Sequence, residues 1–273
     1  MSSATLSLGD VLRRASEHLD KTSETGRLDA ELLLAHTLDR PRIELYTDLD
    51  RPLNEDELDR YRELVARRSR CEPVAYILGE WGFRRLTLDC DPRALIPRPE
   101  TEIVVERCLE RLRGLHEPRV LDVGAGTGAI ALAIADEHPG ARVTGIDASP
   151  DALALARTNA ERTGLDVELR PGGFETAAEG SWELVVANPP YVLPDEYESL
   201  QPEVRDWEPR GALVGVGLHR ELASVAATRW LVLEVADGQA PTVAGELREL
   251  GYADVTITRD LADRERVVEG RRG

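Results

Sequence analysis

Long apolar runs are missing from this chain: nowhere in its 273 residues do about 18 apolar side chains follow one another, as a membrane-spanning helix requires. Met1 to Asp10 carries neither a basic stretch nor an apolar one behind it, so no secretory leader is expected and the chain reads as soluble and cytoplasmic. Cysteine is scarce. Cys71, Cys90 and Cys108 are odd in number, far apart and without a Cys-x-x-Cys pair, which argues against a disulfide framework or a zinc site and for reduced, partly buried thiols. His18, His36, His116, His138 and His219 fall at no metal-ligand spacing, so no metal is expected. Positive charge is also short. With 34 Lys and Arg against 51 Asp and Glu, the formal charge is -17, the wrong sign for gripping a phosphate backbone with the whole surface. Almost every cation is Arg, so a local patch stays open, and cation distribution rather than total charge decides. Internal repeats and low-complexity tracts are absent as well.

What is present divides into three stretches. From Ser7 to about Arg70 apolar residues recur at helical spacing, in Leu8, Val11 and Leu12, then Leu28, Leu32 and Leu33, then Leu58, Tyr61 and Val65. Pro41 and Pro52 separate these patterns, and Asn54 with Glu57 forms a capping pair for the third. A small helical bundle is expected over residues 1–75, serving either as a packing appendage or in recognition. Gly79, Gly82, Pro92 and Pro97 then punctuate short extended pieces, read as a β-hairpin linker over 76–96 with strands around Arg84 to Leu88 and Ala94 to Ile96. Over 97–273 strand-like and helical runs alternate: Arg119 to Val123, Ala129 to Asp136, Arg142 to Ile146, Pro150 to Arg162 and Leu184 to Ala187. That alternation predicts an α/β, doubly wound, Rossmann-like sheet. Trp230 to Val235 reads as a buried strand and Thr242 to Leu250 as a helix. Val255 to Thr258 with Arg266 to Glu269 reads as a strand pair forming an antiparallel edge.

The segment Val120 to Ile134 sets a strand against Gly124-Ala-Gly-Thr-Gly128 and then a helix. Bare backbone there can approach a small polar ligand, although glycines also simply permit a tight turn. The next strand ends in Asp147, about 20 residues on, where a carboxylate can accept hydrogen bonds from both hydroxyls of a ribose. Glycines and Asp147 suit a nicotinamide dinucleotide as well as S-adenosylmethionine. A third motif separates the two. Leu184 to Ala187 runs into Asn188-Pro189-Pro190-Tyr191, in which two prolines fix φ and carry no N–H. The resulting stiff cluster of acceptors suits a planar NH2 group whose lone pair is delocalised. The Asn188 side-chain oxygen and the Pro189 carbonyl would orient that nitrogen toward a methyl donor, with Tyr191 as a flat wall. An ordinary rigid loop is the alternative for this turn in isolation. Its setting, at a strand's carboxyl end beside a glycine loop and an acidic strand end, favours chemistry.

With these motifs in hand, the chain resembles the HemK/PrmC family of protein-(glutamine-N5) methyltransferases over nearly its whole length. The resemblance also rests on Leu95-Ile-Pro-Arg-Pro-Glu-Thr-Glu102, Asp147-Ala-Ser-Pro150, Glu208-Pro-Arg210 and Glu265 to Gly270. It implies S-adenosylmethionine as donor, S-adenosylhomocysteine as product, and the glutamine of the Gly-Gly-Gln motif of a class-1 peptide-chain release factor as acceptor. The helical domain would then help to dock that protein, with no direct nucleic-acid or membrane partner and a monomer as the default. Carried over residue by residue, Gly124, Ala125, Gly126, Thr127 and Gly128 would line the methionine part of the cofactor. Asp147 would hold its ribose, and Asn188, Pro189, Pro190 and Tyr191 the glutamine, with Ala148 and Asn188 also against the cofactor. For Arg98, Glu100 and Thr101 the family pattern suggests proximity to the active site, with a clamp on the hairpin as the alternative.

Two departures from the family stand out. At the adenine end relatives carry an acidic and then an aromatic or apolar residue before Phe, whereas here Gly172 and Gly173 precede Phe174, so Gly173 and Phe174 would have to serve instead. Between Glu221 and Leu233 a helix, a turn and a strand are compressed, which would strain the sheet. Competing readings are an amino-methyltransferase acting on an adenine or guanine base, a ribosomal-protein glutamine methyltransferase, and a noncatalytic module that keeps the fold but has lost its cofactor.

Overall fold

A computed structural model describes residues 6–272; the first five residues of the stretch read for a leader lie outside it. The chain divides into two compact units, Met1–Gly79 with Gln201–Trp207, and Glu80–Leu200 with Glu208–Gly273.

The first unit is helical. α1 (Leu8–Leu19) starts where the Ser7 side chain accepts from the Asp10 N–H, and it buries Leu8, Val11, Leu12, Ala15 and Leu19 on one face. α2 (Gly26–Leu38) turns Ala30, Leu33 and Leu34 inward, while Leu28, expected in the stripe, is exposed. The apolar phase of this helix is blurred because Asp29 and Glu31 are buried beside the leucines. α3 (Glu55–Arg68) carries the expected capping box: Asn54 Oδ1 accepts from the Glu57 N–H (2.9 Å) and Glu57 Oε2 from the Asn54 N–H (3.0 Å). Its Tyr61 is buried and donates to the Ala30 carbonyl (3.0 Å), joining α3 to α2. α4 (Val74–Leu78) ends at Gly79 in the left-handed region, a common helix stop.

In the second unit β1 (Glu80–Phe83) and β2 (Leu86–Asp89) pair antiparallel. The hairpin thus begins earlier than the sequence suggested, and Ala94 to Ile96 form no strand. Gly82 lies inside β1, and Arg84 takes the turn with φ 50°. Asn159 anchors this hairpin, accepting from the Asp89 N–H (2.6 Å) and donating to the Thr127 carbonyl (2.9 Å). The chain continues through α5 (Thr101–Leu112), β3 (Arg119–Val123), α6 (Ala129–Glu137), β4 (Arg142–Asp147), α7 (Pro150–Thr163), β5 (Glu168–Pro171) and β6 (Trp182–Ala187). Next come α8 (Pro202–Arg205), whose segment groups with the helical unit, and α9 (Arg210–Leu213), α10 (Leu218–Val225), β7 (Thr228–Glu234), α11 (Ala240–Glu249), β8 (Ala253–Arg259) and β9 (Glu265–Arg271).

Seven strands form one sheet in the order β5-β4-β3-β6-β7-β9-β8. The first five are parallel, and β9 and β8 add the expected antiparallel edge, β9 lying between β7 and β8. Side chains alternate between two apolar layers. Val120, Leu184, Val186 and Val232 meet α5 and α6 on one face. Leu121, Val123, Val185, Leu231 and Leu233 meet α10 and α11 on the other. The compressed stretch after Glu221 is accommodated by an eight-residue α10 that passes through Ala226 and Ala227 into β7, with the Ala227 N–H donating to the Ala177 carbonyl (2.8 Å). No residue from 218 to 237 has positive φ, so the expected strain takes no backbone form there.

Candidate active site

Register creates the site. Val123 lies opposite both Ile146 and Ala187, and Asp147 opposite Pro171, so the carboxyl ends of β3, β4, β5 and β6 stand level. The four loops that follow begin side by side, at the edge of a parallel sheet where ligands gather. A cavity of about 530 Å³ opens there, within the range typical of small-molecule sites.

The first loop turns through Gly124, Gly126 and Gly128, with φ of 80°, 56° and 84°, a region that L side chains rarely enter. The N–H groups of Gly124 and Ala125 both donate to the Ile146 carbonyl (2.9 Å each), tying the loop to the neighbouring strand. Gly124, Ala125, Gly126 and Thr127 line the cavity. Gly128 does not: a Cβ there would stand 3.1 Å from Leu132 Cδ1, so its place in the fold is under α6.

Asp147 sits across from this loop. Its Oδ2 accepts from the Gly126 N–H (2.9 Å) and its Oδ1 from the Ser149 N–H (2.8 Å). Each oxygen keeps lone-pair capacity, and the residue lines the cavity with Ala148. Beneath the loop lies Asp122, fully buried, with Oδ2 accepting from the Ala131 N–H (3.1 Å) and Oδ1 unpartnered among the described residues. Burial pushes its carboxyl up to about 7, against the Ala131 hydrogen bond.

Gly172, Gly173 and Phe174 close one end of the cavity. A Cβ on Gly172 would come within 2.6 Å of Thr176 Oγ1, so the backbone has settled into space that a side chain would need. The Gly173 N–H donates to Glu175 Oε1 (2.9 Å), which brings a carboxylate to this rim.

The fourth loop carries Asn188 to Tyr191. Asn188 and Pro190 line the cavity; Pro189 and Tyr191 are outside its lining. Asn188 Nδ2 points to Thr101 Oγ1 (3.5 Å) at the start of α5. The Tyr191 carbonyl accepts from Gln239 Nε2 (3.2 Å), and Val192 bridges Val214. Burial pushes the Tyr191 phenol up to about 12. Arg93 to Arg98 form a further wall of the cavity; the family pattern pointed to Arg98, and sequence patterns did not show its neighbours Arg93 to Pro97 there. Glu208 accepts from the Ile96 N–H through Oε2 (3.2 Å) and pairs with Arg98 through Oε1. Arg98 and Thr101 both line the cavity with Asn188, which is the proximity the family pattern suggested, and Thr101 Oγ1 is the atom to which Asn188 Nδ2 points; Glu100 is outside the lining. The thiols of Cys90 and Cys108 are buried, and burial drives both upward, Cys90 to about 12.

This sheet, with a glycine turn, an acidic strand end and an Asn-Pro-Pro-Tyr corner at its carboxyl edge, defines a Rossmann-like methyltransferase. Solved structures bear out the fold: a methyltransferase from Pyrococcus furiosus has a TM-score of 0.52 at 19% identity, covering 68% of this chain and 88% of that one. The T. thermophilus 16S rRNA N2 G1207 methyltransferase has 0.51 at 19%, covering 71% and 50%. Residues 10–79 match the PrmC N-terminal domain and residues 101–200 the methyltransferase small domain. Release factor glutamine methyltransferases are similar throughout. The one from Geobacter sulfurreducens is 42% identical over 93% of this chain and 92% of its own length, and that from Deinococcus radiodurans 39% over 98% and 99%. The chain belongs to the release factor glutamine methyltransferase family. Among the described residues no helix is long and apolar enough to cross a membrane.

Proposed function

We propose that this protein transfers a methyl group from S-adenosylmethionine to the side-chain amide nitrogen, N5, of the glutamine in the Gly-Gly-Gln motif of a class-1 peptide-chain release factor. The observation that carries the reading is Asn188, at the end of β6 and in one cavity with the glycine turn and Asp147. Asn188 lines that cavity and its Nδ2 points to Thr101 Oγ1 (3.5 Å), so Oδ1 is the end this reading assigns to the substrate.

The residues present fit the donor. Asp147 has unused acceptor capacity for two vicinal hydroxyls, and Gly124 to Thr127 offer backbone without side chains at the glycines. Ala148, Gly173, Phe174 and Asn188 complete the lining expected around the nucleoside and methionine. When bound, S-adenosylmethionine supplies a methyl carbon made electrophilic by its sulfonium.

A carboxamide nitrogen is a poor nucleophile because its lone pair is shared with the carbonyl. Asn188 Oδ1 accepts one of its N–H bonds and the Pro189 carbonyl, outside the cavity lining, is the acceptor proposed for the other; together they align it with the methyl carbon and stabilise the positive charge that grows on nitrogen as the new bond forms. No base is needed beforehand, since the N–H becomes acidic only as the methyl arrives. Pro190 forms part of the wall, and Tyr191 holds the corner from behind. In this reading the helical unit, Met1–Gly79 with Gln201–Trp207, docks the release factor, and the sheet unit, Glu80–Leu200 with Glu208–Gly273, performs the transfer.

Incubation with labelled S-adenosylmethionine and purified release factor, followed by peptide mass mapping, tests the reading. Label is expected on the Gly-Gly-Gln glutamine and lost when that glutamine is replaced. Label on nucleic acid would transfer the reading to a base methyltransferase, and no cofactor binding by the folded protein would favour a noncatalytic module.

A further inference from the structure

β7 ends in Glu234, whose side chain is fully buried. Among the described residues no backbone N–H and no Arg, Lys or His donates to either carboxyl oxygen. An uncompensated acid in a core is costly, and such groups cluster where chemistry uses them. The cavity lies close by. The Thr101 hydroxyl beside Glu234 favours its ionised form, and Glu234 in turn acts on Tyr191 in the Asn-Pro-Pro-Tyr corner. The backbone of Glu234 is fixed, its carbonyl accepting from His219 Nε2–H (2.8 Å). Thr101 Oγ1 is also the atom to which Asn188 Nδ2 points. Glu234, Thr101 and Asn188 come from β7, α5 and β6, and no local pattern joins them.

We propose that Glu234 is a positioning residue that acts through Thr101 to set which end of the Asn188 amide faces the substrate, deepening the glutamine-methylation reading on which it rests. A threonine hydroxyl has one proton. When Glu234 is ionised, that proton is held by the carboxylate, and the Thr101 oxygen can only accept, which draws Asn188 Nδ2 inward and leaves Oδ1 to the substrate N–H. When Glu234 is protonated, its own O–H donates to Thr101. The Thr101 proton is released toward Asn188, where it is satisfied by the amide oxygen. The amide then turns, and an N–H meets the substrate N–H, which cannot be methylated in line.

Burial, only partly countered by Thr101, pushes the Glu234 carboxyl up to about 7. Glu100 raises it further, while Arg266 and Arg98 lower it. His219, on the same carbonyl, is pushed down by its own burial and is an unsuitable source of a limb near neutrality. Methyl transfer by the full chain is expected to fall on acidification below about pH 7, approaching tenfold per pH unit.

Single-turnover rates with release factor, read across the range from about pH 6 to pH 8.5, test this. Glu234→Gln is expected to lower the rate about tenfold or more and to flatten its profile, with S-adenosylmethionine affinity and KM within about twofold. Thr101→Val, which keeps the shape without the hydroxyl, is expected to do the same, and Thr101→Ser to restore most of the rate together with the acid limb. If Glu234→Gln does not fold, the two Thr101 variants decide. An active wild type whose acid limb survives in Thr101→Val overturns the inference alone. A folded wild type that leaves the release factor unmethylated overturns the functional reading, and the inference with it.

Discussion

Gly215 approaches Pro190 so closely that a Cβ built on it would stand 2.4 Å from the Pro190 carbonyl oxygen and 2.6 Å from Leu218 Cδ1. The contact is with backbone, so it cannot be relieved by rotating a side chain. Gly215→Ala should displace the Asn-Pro-Pro-Tyr corner, at a cost of about 1–3 kcal/mol. Methyl transfer is expected to fall at least about tenfold while cofactor affinity changes little, because a small misplacement at the reacting centre is enough. Unaltered turnover in this variant would show that the corner tolerates displacement.

Asn188→Ala removes the acceptor proposed for the reacting nitrogen and should leave the fold intact, since among the described residues the side chain makes one long hydrogen bond, to Thr101. The turnover number should drop about 100- to 1000-fold, as for other removed charge-stabilising groups. Calorimetry should find the S-adenosylmethionine dissociation constant within a few-fold. A turnover number near that of the wild type would contradict the role.

Asp147→Ala removes both the acceptor proposed for the ribose hydroxyls and the partner of the Gly126 and Ser149 N–H groups. Two hydrogen bonds to a charged group, each worth about 1.5–3 kcal/mol, predict weakening of cofactor binding by about 100-fold or more. Asp147→Asn keeps an oxygen and should lose less. Titration calorimetry distinguishes the two, and equal affinities for all three proteins would remove Asp147 from the ribose.

Asp122 gives a pH signature in stability. Its carboxyl is raised in the folded protein to about 7 by burial, so the native state favours the protonated form. Whatever this group adds to stability is full below its unfolded value and is lost as pH rises through about 7. At about 1.36 kcal/mol per tenfold change in proton affinity, the loss reaches the order of 4 kcal/mol. The stability of Asp122→Asn relative to wild type should therefore rise between about pH 4 and pH 7 and level off above it. A constant difference across that range would refute it.

Arg68 is buried in the helical unit, where its Nε pairs with Asp29 Oδ2 (2.7 Å) and its Nη2 with Glu203 Oε2 (2.5 Å). Arg68→Met leaves two carboxylates without their cation and should cost about 3–5 kcal/mol. Denaturant unfolding would measure it. A change under about 1 kcal/mol would mean that water reaches the pair.

The capping box at Asn54 and Glu57, the strand of Arg119 to Val123 and the helix of Pro150 to Thr163 were legible because neighbours within a few residues decide them. The glycine turn and Asp147 were legible for a related reason: one strand length and one helix length separate them. The stripe on α2 misled, since charge buried through Arg68 and Arg42 masks the apolar phase. The hairpin was displaced because a turn at Arg84 uses a left-handed conformation that no glycine announced.

Sequence alone settled the alternation of strand and helix and the glycine-rich turn after β3, and it named the Asn-Pro-Pro-Tyr corner as the expected place of chemistry, because these depend on period, backbone freedom and functional groups carried by adjacent residues. Only the tertiary structure decided that β9 enters between β7 and β8, that Gly128 packs under α6, and that Arg98 meets Glu208. It likewise brought Thr101 between Asn188 and Glu234. Those pairings join residues far apart along the chain, and strand order and burial choose them through side-chain packing that no single segment encodes.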